Sequence, residues 1–138
     1  EQTLDWYAQD NLGNVWYFGE DTKEFVNGVI VSTAGSWLAG VDGGLPGMVM
    51  EADPQVGDTY REEYLKKVAE DMATVLSLNG TAQVPYGSFT DCLVTGNFTR
   101  LEKKVVENKW YARGIGMVRS ELVQGGLEIS ELVSIKQP

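Results

Sequence analysis

The sequence predicts a mainly β chain: an antiparallel meander curling into a half-barrel or barrel, with a long covering loop and at most one helix. Three observations carry that expectation. Sixteen glycines in 138 residues punctuate the chain every few positions, as turns between short strands do. Aromatic and β-branched runs, which favour a pleated and half-buried surface, fill the intervals. Between two such runs lies Asn27-Gly28, the dipeptide best able to supply the positive φ angles of a two-residue hairpin turn.

Element by element, the chain opens on a hairpin. Leu4–Gln9 and Asn14–Phe18 are strand-prone and flank the turn-rich Asp10-Asn11-Leu12-Gly13. A second hairpin pairs Lys23–Val26 with Val29–Ser32 around Asn27-Gly28. Residues Ala34–Asp58 are interrupted by Gly35, Gly40, Gly43-Gly44, Pro46-Gly47, Pro54 and Gly57, and read as a long packed loop lying across one face. Trp37, Leu38, Met48 and Val49 anchor that loop, which holds one short strand near Gly47–Met50.

Thr59–Leu78 supports two readings. Tyr60, Tyr64, Val68, Met72 and Leu76 recur every four residues as in an amphipathic helix, while Tyr60/Glu62/Tyr64 and Met72/Thr74/Leu76 fit strand alternation. The last third is plainer. Ser88–Thr95 follows the Pro85-Tyr86-Gly87 turn, and Val105–Ala112, Ile115–Leu122 and Leu127–Ile135 form a meander with turns near Arg113-Gly114 and Gly125-Gly126.

The totals bound what such a chain can do. At 138 residues it fits one domain, expected to span the whole sequence and to bury about two-thirds of its unfolded surface. The composition, 43% hydrophobic and 22% charged, is that of a globular chain, and no apolar run is long enough for a membrane span. A net charge of −9 argues against nucleic acid and anionic lipid and favours cations or basic partners.

The absence of histidine removes the Ser-His-Asp and Cys-His nucleophile systems and the usual zinc sites. Cys92 has neither a disulfide partner nor a base to form its thiolate, and reads as a buried, inert side chain. No catalytic residue stands out. Carboxylates are plentiful, but sequence neighbours on a strand diverge, so only a cross-strand Asp/Glu pair could share a substrate or a proton.

Two sets of residues remain as site candidates. Adjacent aromatic pairs place rings on both faces of the sheet, so Trp6, Trp16, Tyr17, Trp37 and Trp110 are candidates for a ligand cleft where they do not serve as core cover. Calcium, which takes oxygen ligands, is the metal this composition fits. Asp10 and Asn14 at the first turn, with Glu20 and Asp21 after the following strand, are its candidate ligands, although a hairpin tip demands Asp, Asn and Gly for its own sake.

Two stretches also carry a resemblance. Asp5–Asp10 running into Gly13–Asp21 is similar to a block in exported bacterial β-rich proteins and lipoproteins of uncharacterised activity. Trp110-Tyr111-Ala112-Arg113-Gly114-Ile115-Gly116-Met117-Val118 resembles the "YYAxGVGLV" strand-turn-strand element near their C-termini, and Val84–Phe89 fits the same pattern. The resemblance implies an antiparallel curved sheet and an exported protein, in the envelope or secreted. It also favours two strands over Thr59–Leu78 with a bend near Lys66-Lys67, and implies further strands upstream of Glu1, a segment of the same protein that this chain would pair with. It supplies no functional residue. The expected function is a non-enzymatic envelope or secreted binding module for a small molecule or protein. The alternatives are a carboxylate-dependent hydrolase or lyase, and a structural, calcium-stabilised domain.

Overall fold

A computed structural model of the chain describes residues 1–136, and no helix occurs among them. Eleven strands follow one another: β1 (Gln2–Gln9), β2 (Val15–Val26), β3 (Val29–Ser32), β4 (Trp37–Leu38), β5 (Gly47–Met50), β6 (Thr59–Arg61), β7 (Asp71–Val84), β8 (Gly87–Thr99), β9 (Val106–Ala112), β10 (Gly116–Gln124) and β11 (Ile129–Glu131). They form two antiparallel sheets, and neither closes into a barrel. The chain gathers into two compact units, one of Glu1–Pro54 with Tyr60–Met72, the other of Gln55–Thr59 with Ala73 onward.

In the first unit β2 is the axis. One edge pairs with β1 along its length, from Gln2 opposite Lys23 to Gln9 opposite Val15. The other edge takes three short strands in succession: β5 against Val15–Tyr17, β4 against Gly19–Glu20 and β3 against Glu24–Val26. Within the Ala34–Asp58 segment, Trp37–Leu38 and Gly47–Met50 pair with the edge of β2, the latter where the sequence predicts one short strand.

β2 also runs unbroken through the polar Glu20-Asp21-Thr22, where the sequence predicts a gap between two strands. The register shifts opposite Trp6 and Tyr7, leaving Phe18 as the extra residue of a bulge. Gly19 follows it at φ +140°, where a Cβ would lie 2.2 Å from the Trp37 carbonyl oxygen. The strand bends there rather than ending. The Asn27-Gly28 turn has φ 51° and 79°, the paired positive angles expected of it. Val29, Ile30 and Val31 are all exposed, and since successive residues face opposite ways, both faces of this ribbon meet solvent.

Thr59–Leu78 forms strands. Lys67 at φ 66° makes a tight turn inside an exchange of backbone hydrogen bonds between Leu65 and Ala69 (2.8 and 2.9 Å), a geometry incompatible with a continuous helix. Beyond it, Glu62 N–H donates to the Asp71 carbonyl at 2.9 Å.

The second unit contains the meander. β7 turns at Pro85-Tyr86 into β8, and β8, β9, β10 and β11 follow in order across the sheet. Its turns carry positive φ at Gly114 and Gly125, where the sequence places them. Ala82, Cys92, Ala112 and Val118 form a buried cluster with Phe89, Trp110 and Leu132 packed on it. Cys92 is fully buried, and that burial pushes its thiol above the usual range, so the thiolate is disfavoured.

Candidate functional site

The bulge in β2 brings two carboxylates together. It sets Asp5 of β1 directly opposite Glu20 of β2, a cross-strand pair on neighbouring backbones. Tyr17, buried three residues before Glu20, reaches both: its hydroxyl lies 2.6 Å from Asp5 Oδ1 and 2.9 Å from Glu20 Oε2. One hydroxyl carries one proton and cannot donate to both. Burial raises the Glu20 pKa above its ordinary 4.5, opposed by the Tyr17 hydrogen bond and reinforced by the charges of Asp5, Glu1 and Asp71. The contact with Asp5 is the shorter of the two, and through it and the Glu20 contact Tyr17 links the two carboxyl groups. Tyr17 itself is raised, first by burial and then by its bond to Asp5, and stays a phenol.

Tyr17 is held by rings. Tyr7 stacks on it at 4.7 Å between centroids, and Trp37 of β4 meets it edge-on at 5.5 Å. Ala69 completes this buried cluster, with Ala39, Val49 and Leu65 packed against it. Trp37 is 4% exposed, and its indole Nε1 is buried with no acceptor among the described residues. A buried donor left unsatisfied is costly, and native structures hold few of them.

Beside this cluster opens a concavity of about 280 Å³, at the small end of ligand sites. It is lined by Trp6 and Trp37, by the aliphatic residues Leu38, Val41 and Leu65, by the acidic residues Glu20 and Asp42, and by Ser36. Ser36 is already engaged: its hydroxyl donates to the Thr22 carbonyl and accepts from the Thr22 amide. Glu20, whose Oε2 meets the Tyr17 hydroxyl, and Asp42 are the charged residues that line it. A second concavity, about 370 Å³, is bounded by Gly43, Arg61, Tyr64, Lys66 and Glu70. There Arg61 lies over the Tyr64 ring at 4.5 Å, and Glu70 accepts from the Lys67 amide, so two of its charges are spent on the protein.

The residues singled out from sequence separate accordingly. Trp6 and Trp37 line the first concavity, with Tyr17 directly behind Trp37. Trp16 donates its Nε1–H to Asp10 Oδ2 at 2.9 Å and belongs to the first turn. Trp110 is in the second unit, under the Arg119 guanidinium at 5.6 Å. Of the candidate calcium ligands, Glu20 lines the concavity and Asp21 is paired with Lys23. Asp10 accepts from the amides of Leu12 and Asn14, from Asn14 Nδ2 and from Trp16 Nε1. Asn14 in turn accepts from the Ala52 amide through its Oδ1. Among the described residues no three His, Cys, Asp or Glu side chains gather as a metal-holding group. Asp5, Asp42 and Leu65 escape a reading of sequence alone, because long-range register and a loop bring them in. The rule that only cross-strand carboxylates can cooperate was the one signal pointing to Asp5.

Those four hydrogen bonds, those of Trp16 and Asn14 foremost, hold the Asp10 carboxyl down at about 2. A depressed carboxylate adds stability above its unfolded pKa, and that stability is lost as pH falls from about 4 through 2. Asp10→Ala is expected to lower the thermal midpoint at neutral pH and to weaken acid destabilisation in that window, as melts at stepped pH would report.

No family model, curated protein or solved structure matches this chain.

Proposed function

We propose that this chain is a non-enzymatic binding module of an exported bacterial protein, in the envelope or secreted, and that its ligand is a small organic molecule held between Trp6 and Trp37. The observation that carries this reading is the concavity itself, which a buried Trp37 and a half-exposed Trp6 both line. Indoles give large apolar contact at little conformational cost, and a concavity lined by two tryptophans suits a flat or compact apolar body. The bulge and the positive φ at Gly19 fit the bend of a sheet curling, half-barrel fashion, around such a slot. Export rests on the resemblance of the Asp5–Asp21 and Trp110–Val118 segments, as does an upstream segment as partner.

The cross-strand Asp5–Glu20 pair favours a second reading, a carboxylate-dependent hydrolase or lyase. Binding is preferred because Glu20 alone of the pair lines the concavity, while Asp5 is tied to Tyr17 behind it.

The test is a thermal-melt panel of small aromatic and cyclic compounds on the intact chain and on Trp6→Ala. A ligand of the folded state at one hundred times its dissociation constant adds about 2.7 kcal/mol. Trp6→Ala, at an exposed position, should keep its own melting temperature within a few degrees and lose the ligand's shift. A ligand shift that survives in Trp6→Ala places the site elsewhere.

A further inference from the structure

The walls of the concavity are not neutral in their chemistry. Two tryptophans, Trp6 and Trp37, line it, and its charged residues are both acidic, Glu20 on β2 and Asp42 on the turn after β4. No Lys or Arg lines the concavity. Aromatic faces attract cations, more strongly when the contact is desolvated, and carboxylates attract them by charge. The chain's charge of −9 adds a field of the same sign.

Resting on the binding reading above, we infer that the ligand is an organic ammonium ion, whose apolar body lies between Trp6 and Trp37 and whose charged head meets Glu20 and Asp42. The aliphatic trio of Leu38, Val41 and Leu65 takes the carbon skeleton, and the carboxylates take the head. An anion would meet like charge on two sides. A neutral alcohol of the same shape would fill the slot without drawing on its field.

Proton linkage follows. Glu20 is faced by Tyr17 on its own strand, by Asp5 on β1, by Glu1 preceding it, and by Asp71 at the start of β7, all acidic or neutral. An ammonium ion favours the Glu20 carboxylate over its protonated form. Affinity then rises as pH climbs above the ordinary carboxyl value of 4.5, across the range in which Glu20 ionises.

Three probes of one shape decide it: phenethylammonium, 2-phenylethanol and phenylacetate, titrated calorimetrically into the intact chain, Asp42→Asn and Glu20→Gln. Asp42 has φ 50°, a conformation asparagine adopts readily, so Asp42→Asn should fold as the parent does. The expected result is phenethylammonium binding about tenfold or more tighter than the alcohol, with no measurable phenylacetate binding. Each variant should reduce that preference, and Glu20→Gln should flatten its rise with pH. Equal binding of the alcohol and the ammonium ion overturns the cation inference and leaves the pocket as a ligand site. Preferred binding of phenylacetate overturns it likewise. Failure of all three probes, together with a flat panel on the parent chain, overturns both.

Discussion

Replacing Gly47 with alanine is expected to destabilise the protein by about 3 kcal/mol or more, a large part of the 5–15 kcal/mol that holds a typical domain. Gly47 opens β5, pairs with Tyr17 on one side and has the Glu62 backbone on the other. An added Cβ would lie 1.9 Å from the Glu62 carbonyl oxygen and 2.4 Å from its carbon. Both are main-chain atoms held in place, for the Glu62 amide donates to Asp71 and the neighbouring Leu45 amide donates to the Tyr64 carbonyl at 3.0 Å. Neither can rotate away as a side chain would. Gly87 is the control: its φ is not positive and nothing lies within 4 Å of the added methyl, so Gly87→Ala should change stability by no more than about 0.5 kcal/mol. Urea unfolding of the two variants checks the pair. A Gly47→Ala protein as stable as the parent would mean that β5 does not run against the Glu62–Tyr64 segment.

Trp37→Ala should cost about 3–5 kcal/mol, as truncation of a buried aromatic does. The ring is 4% exposed, stands edge-on to Tyr17, and with Tyr17 and Ala69 forms the buried heart of the first unit. What distinguishes it from an ordinary core ring is the buried Nε1–H without an acceptor. Trp37→Phe removes that unsatisfied donor with much less loss of volume, so its cost should fall far below that of alanine. If phenylalanine costs as much as alanine, the indole N–H is making a bond that stabilises the fold. Equilibrium denaturation, with both variants beside the parent, reads the difference.

Much of the fold is legible wherever local chemistry decides it. Asn27-Gly28 adopts the backbone that only such a dipeptide takes easily, and Gly114 and Gly125 turn the meander for the same reason. Cys92 among Leu93 and Val94 is buried, as its neighbours imply. Illegible features depend on distant partners. Nothing local says that Trp37-Leu38 will pair with Gly19-Glu20, or that a polar run such as Glu20–Thr22 will continue a strand. Those pairings need the bulge at Phe18 and the missing side chain of Gly19, which admits the Trp37 carbonyl. The helix-like spacing of Tyr60, Tyr64, Val68 and Met72 is defeated by a tight turn at Lys67, where ladder bonds outweigh propensity. The site divides the same way. Its indoles are visible as an aromatic-rich composition, whereas Asp42 and Leu65 reach it only through the loops that follow β4 and β6.

The four tryptophans supply the most direct measurement. In ¹⁵N-labelled protein each indole N–H gives its own resonance, and the four stand in different places: Trp6 and Trp37 at the concavity, Trp16 bonded to Asp10, Trp110 under Arg119 in the second unit. Titration with phenethylammonium should shift the Trp6 and Trp37 signals together and leave those of Trp16 and Trp110 in place. Movement of Trp110 or Trp16 without Trp6 and Trp37 would contradict the account.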